Sequence, residues 1–263
     1  MIPQPVRSLT SDKLRVAVFK TRDEMGRAAA MHVRDHLVNR LSTREHVRIV
    51  VGSAPSQDEF FAHLTADPIR SAIDWSRIEV FHMDEYIGLP SDHPQNFRAY
   101  QRTHLLSRVA VMAFHEIQGE TTDAAAECER LTTLLTEAPI DLVCLGIGEN
   151  GHLAFNDPPA PLDEREWVKI VELDHTCRQQ QVNDGCFATI ADVPTHAITL
   201  SMRVFREAAT LSGVVPARSK AHAVKETVTG PVSEDCPATL MRIHPDASLF
   251  LDTDAASLLA DAD

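Results

Sequence analysis

Short runs rich in β-branched and apolar residues alternate along this chain with longer segments of helical period. That pattern builds a parallel sheet with helices on both faces. The strand-like runs fall at residues 14–19, 47–52, 78–82, 141–146, 168–173, 197–201, 210–215 and 248–251. Most are continuously apolar, as strands covered on two faces must be. Between the first two, Met25, Ala28, Ala29, His32, Val33, Leu37 and Leu41 recur near helical spacing and predict a helix over 23–41. Further helices are expected at 57–64, 96–106, 123–135, 220–228 and 237–243. The expected fold is α/β: a three-layer, doubly wound, mostly parallel, Rossmann-like sheet with helices on both faces. No repeat, low-complexity tract or Pro/Gly/Ser linker divides the chain, so residues 1–263 read as a single domain. The first dozen residues and the tail after Asp252 look dispensable to it.

Composition narrows the function. A content of 44% hydrophobic and 24% charged residues is that of a globular protein. A formal net charge of -13 argues against nucleic acid and against an anionic membrane, both of which would repel the chain at long range. It does not exclude a small anionic substrate, which answers to the local field of its pocket. The five cysteines form no C-x-x-C pair, the N-terminus lacks the apolar stretch of a signal peptide, and no run is long enough to span a membrane. A cytoplasmic enzyme is expected.

Open parallel sheets bind ligands at the carboxyl ends of their strands, and three segments in such places carry chemistry. In F-H-M-D-E-Y, residues 81–86, the adjacent carboxylates Asp84 and Glu85 follow an apolar strand. They read either as a solvated strand end or capping pair, or as a general base poised by partial burial. In G-I-G-E-N-G-H-L-A-F-N-D-P, residues 146–158, Gly146, Gly148 and Gly151 let the backbone turn and approach a ligand closely, while Asn150, His152 and Asp157 supply polar groups. These glycines do not open a helix as G-x-G-x-x-G, so a nicotinamide or flavin cofactor is rejected. In G-S-A-P-S-Q-D-E-F, residues 52–60, Ser56 and Glu59 match a capping box, which predicts a helix start able to hold an anion near Ser53, Ala54 and Ser56.

Together these segments resemble the glucosamine-6-phosphate deaminase family and, more distantly, the 6-phosphogluconolactonases of the same fold. F-H-M-D-E-Y-I-G-L-P-S-D-H-P is similar to that family's F-N-M-D-E-Y-x-G-L-P-x-x-H-P, and residues 146–158 to its G-x-G-x-[DN]-G-H-I-A-F-N-E-P. V-V-P-A-R-S-K-A-H-A-V, residues 214–224, sets Lys220 where the family has its phosphate-contacting lysine. The resemblance implies that an open-chain amino-sugar phosphate loses ammonia to become a ketose phosphate, with neither metal nor organic cofactor. Asp84 would move the proton between C2 and C1, and His152 would help open the sugar ring. Asp157 would orient the imidazole, with Asn150 beside it. Ser53, Ala54, Ser56, Glu85 and Lys220 would bind the substrate.

Four positions depart from the family pattern. Asn150 stands where many members have aspartate, and Asp157 where glutamate is usual. Residues 52–56 replace the T-G-G-T-P phosphate loop, and residues 175–183 lack a later arginine expected to assist phosphate. The rival readings are a lactonase using His152 to activate water and a sugar-phosphate-binding regulator without turnover. M-D-E-Y favours the deaminase, and a homo-oligomer is compatible with either.

Overall fold

The structure, a computed structural model, describes residues 3–260. Its main sheet has eight strands: β1 (Arg7–Ser11), β2 (Leu14–Phe19), β3 (Val47–Val51), β4 (Ile78–His82), β6 (Ala113–His115), β7 (Leu142–Leu145), β10 (Leu211–Val215) and β11 (Ala247–Asp252). Their order is β1-β2-β11-β10-β7-β3-β4-β6, and every neighbouring pair is parallel except β1 with β2.

Alternation along the central strands distributes the core. Ile49, Val51, Leu142 and Cys144 face one side, where α1 (Arg22–Leu41) and α2 (Asp58–Leu64) pack. Val50, Val143 and Leu145 face the other, against α4 (Ala124–Glu137), α6 (Met202–Glu207), α7 (Ala221–Thr229) and α8 (Leu240–Ile243). The sheet is therefore covered on both faces, as the alternating pattern requires.

Three expectations are corrected. The runs at 168–173 and 197–201 form β8 (Val168–Glu172) and β9 (His196–Leu200), but these lie outside the parallel sheet. With β5 (Asp84–Tyr86) they make a separate antiparallel sheet ordered β5-β9-β8. β8 is an edge strand whose Ile170 is exposed, so it needs no cover on both faces. Second, the expected helix at 96–106 is split: α3 (Phe97–Gln101), capped by the Asn96 side chain, continues as a π-helical turn over Arg102–Leu106.

Third, the ends are not dispensable. β1 extends the sheet, Arg7 donates to the carbonyls of Leu259 and Ala260, and Ala255, Ala256 and Leu259 are buried. Residues 1–2 and 261–263 of those ends lie outside the described residues. Among the described residues no helix is long and apolar enough to cross a membrane.

Candidate active site

The chain reverses direction across the sheet where β3 lies beside β7, and a cleft opens over the carboxyl ends of β3, β4, β7 and β10. Asp84, His152, Ser53, Ala54, Ser56 and Lys220 line it together, although they are spread over more than half of the sequence.

Asp84 and the glycine loop are held in mutual register by β9. Asp84 pairs with Thr199 across β5 and β9, and the N–H of Leu200 donates to the Met83 carbonyl at 2.8 Å. Thr199 Oγ1 also accepts from the Phe155 N–H at 3.1 Å, while Asn156 Nδ2 donates to the Leu200 carbonyl at 2.9 Å. Both sides of the cleft are thus fastened to the same two residues. Asp84 is buried, and desolvation first, then the neighbouring Glu85 charge, hold its carboxyl well above the ordinary aspartate range.

Nδ1 of His152 stands 3.0 Å from Oδ1 of Asp157, a close approach that is off-line for a hydrogen bond. Asn150 bridges the pair: its Nδ2 donates to Asp157 Oδ1 at 3.1 Å, and its Oδ1 accepts from the His152 N–H at 3.1 Å. Burial opposes ionisation of Asp157, but the contacts with His152, with the Asn150 amide and with the Asp174 N–H outweigh it and hold its carboxyl below the usual value. On the other face of the imidazole lies Gly148, where a Cβ would stand 2.2 Å from His152 Cε1. The close approach that this glycine permits is to the chain's own His152 ring, whereas the sequence pointed to approach to a ligand. Asn150 and Asp157 sit behind His152 and do not line the cleft.

Glu85 is also away from the cleft wall. It is fully buried, accepts from the N–H groups of Tyr86, Phe97 and Arg98, and lies 3.6 Å from the Arg98 guanidinium. Burial pushes its carboxyl up to about 7 against those contacts. Its place is that of a brace between β5 and α3, which corrects its assignment to substrate binding. The reason is the strand alternation: consecutive residues of β5 point to opposite sides.

The capping box expected from Ser56 and Glu59 is absent. A 3-10 turn over Pro55–Gln57 precedes α2, and Glu59 instead accepts from Arg22 Nη2 at 2.8 Å. The loop is steadied by two buried glutamines that the local sequence did not mark. Gln101 Nε2 donates to the Gly52 carbonyl at 2.8 Å and to Ser53 Oγ at 2.9 Å. Gln57 Nε2 donates to the Val214 carbonyl and to Ser56 Oγ, each at 3.1 Å.

Lys220 is buried at the end of a 3-10 turn (Arg218–Lys220). Desolvation lowers its pKa, while the carboxylates of Asp184 and Glu149 act in the opposite sense. The turn is entered through Ala217, which takes φ 81 and ψ 149 and is pinned by its N–H to both carboxylate oxygens of Asp252, at 3.1 and 3.0 Å. Arg178, in the segment without the expected phosphate arginine, donates to the Ile190 and Val193 carbonyls and is absent from the cleft lining.

His152, Asp157 and Cys177 bring a possible metal-donor set within 4.8 Å of one another. Desolvation, with the nearby carboxylates, raises the Cys177 pKa and favours the neutral thiol, and Asp157 already serves His152 and Asn150.

The sequence pattern of the family described as "Glucosamine-6-phosphate isomerases/6-phosphogluconolactonase" matches residues 20–250. The chain belongs to this family. Among curated relatives, the glucosamine-6-phosphate deaminase of Listeria monocytogenes serotype 4b is 37% identical over 211 residues, covering 80% of this chain and 86% of that protein. The glucosamine-6-phosphate deaminase of Streptococcus pneumoniae serotype 4 is 33% identical over 246 residues, 94% of this chain and 100% of its own. Among solved structures, a monomeric glucosamine-6-phosphate deaminase superimposes with a TM-score of 0.83 at 26% identity, over 92% of this chain and 99% of that one. The 6-phosphogluconolactonase of Trypanosoma brucei, at 16% identity and a TM-score of 0.77, shares the fold. Membership of the glucosamine-6-phosphate isomerase/6-phosphogluconolactonase family makes the chain an enzyme of that superfamily.

Proposed function

We propose that the chain, acting as one domain over residues 1–263, converts glucosamine-6-phosphate or a close analogue into a ketose phosphate and ammonia. The observation that carries this reading is Asp84, a buried carboxyl on the wall of the same cleft as His152. Hydrolysis of a lactone needs an imidazole to activate water, whereas shifting a proton between adjacent carbons needs a base beside them, which Asp84 supplies. The deaminase relatives match over most of their length, in support of the same reading.

In this mechanism His152, oriented by Asp157 and Asn150, moves a proton as the sugar ring opens. Asp84 takes the C2 proton of the open-chain aldose and returns it to C1, leaving an imine at C2. Water adds to that carbon, and the C–N bond breaks to release ammonia. The phosphate is bound by Lys220 with the loop of Ser53, Ala54 and Ser56. All five cysteines are free thiols, which supports work in a reducing cytoplasm.

The test is a paired assay with glucosamine-6-phosphate and 6-phosphogluconolactone. Ammonia and ketose phosphate formed in equal amounts from the first are expected. Turnover of the lactone alone would assign the chain to the other branch.

A further inference from the structure

A phosphate monoester carries a charge of about -1.5 to -2 at neutral pH, and one buried amine cannot balance it. Among the residues lining the cleft, the lysine and arginine side chains are those of Lys220 and Arg22. Arg22 is the first residue of α1, where a cation meets the positive end of the helix dipole, while Asp23 and Glu24 beside it follow the favourable rule. A residue placed against the dipole and turned to a pocket invites a functional explanation. Its Nη2 donates to the Pro55 carbonyl at 3.0 Å and to Glu59 Oε2 at 2.8 Å. Its Nε is buried and has no hydrogen-bond partner. The guanidinium is therefore fixed beside the loop of Ser53 and Ser56 through Nη2, which leaves Nη1 unengaged.

We propose that Arg22 is the second phosphate-binding cation of the cleft, serving with Lys220 in place of the arginine missing from residues 175–183. The proposal rests on the sugar-phosphate reading given above and names a residue for it. The Nη1 group, which makes no hydrogen bond in the structure, can donate to a phosphate oxygen as a charge-assisted hydrogen bond. Glu59 and the Pro55 carbonyl hold the guanidinium in place through Nη2.

The test is calorimetry of glucosamine-6-phosphate and of unphosphorylated glucosamine on the parent and on Arg22→Ala, with steady-state kinetics alongside. Loss of a charged hydrogen bond predicts roughly tenfold or greater weakening for the phosphorylated sugar. A matching rise in KM, less change in kcat and no change for glucosamine are also expected. Arg22→Gln, which can still donate to the Pro55 carbonyl, should show the same loss and replaces the alanine variant if that one does not fold. Parental affinity in both variants, or equal weakening of both sugars, would overturn the role of Arg22 and leave the deaminase reading standing. A parent that binds no phosphorylated sugar would overturn both.

Discussion

Nδ1 of His152 lies 3.0 Å from Oδ1 of Asp157, and the Asn150 amide reaches the same carboxylate oxygen at 3.1 Å. A neutral amide here both braces the carboxylate and favours its charged form. Asn150→Asp should remove that donor, add a like charge and raise the Asp157 pKa. The acidic edge of the kcat/KM profile should then move to higher pH, with a smaller change at the plateau. The fold should respond too. The depressed Asp157 pKa contributes stability above the ordinary aspartate value of 3.8, which is lost as pH falls through the depressed value. Thermal melts across the acid range should show the variant lacking part of this contribution above pH 3.8 and converging on the parent at lower pH, and superimposable profiles and melts would remove Asn150 from this role.

The Asp84 carboxyl must be ionised to accept a proton, yet burial and Glu85 raise its pKa. Activity should therefore climb with pH well above the ordinary aspartate range. Glu85→Gln, which removes the like charge, should shift that rise to lower pH. The linkage to stability has the opposite sense from Asp157. Stability associated with a raised carboxyl is full below its unfolded pKa and declines as pH rises through the folded one. For Glu85 that decline runs from the ordinary glutamate value of 4.5 to about 7. Urea denaturation of parent and Glu85→Gln across this window measures it, and equal pH slopes would contradict the account.

Gly148→Ala should separate activity from folding. Its new Cβ would stand 2.2 Å from the imidazole, and the nearest atoms it meets all belong to that side chain rather than to backbone. Turnover is expected to fall by about a hundredfold or more, the lower range for loss of positioned acid–base catalysis. The melting temperature should change by only a few degrees. Near-parental turnover would show that the ring does not act from its present place.

Ala217 holds a backbone conformation normally left to glycine. Ala217→Gly should relieve the strain and stabilise the fold by about 1 kcal/mol, raising the melting temperature by about 2–4 °C. A lower melting temperature would mean that the added freedom of the unfolded glycine chain outweighs the relief.

Much of this architecture is legible in the sequence because β3, β7, β10 and β11 are buried on two faces and read as predominantly apolar runs. β1, with the sequence RSLTS, and β5, with DEY, carry no such signal. β1 is held by a hairpin with the adjacent β2, and β5 by pairing with the distant β9. The site shows the same division. Asp84, His152 and Lys220 fall in contiguous motifs, whereas Arg22, Gln57, Gln101 and Thr199 act across elements far apart in sequence. For Arg22 a local clue existed, a cation at the start of a helix. For the buried glutamines none did.

The account stands most directly on Asp84 as the proton carrier of a deamination. Asp84→Asn keeps the size of the side chain but cannot accept the C2 proton, so ammonia release from glucosamine-6-phosphate by the folded variant should fall by about 10²–10⁴-fold. Ammonia release at a near-parental rate would contradict it.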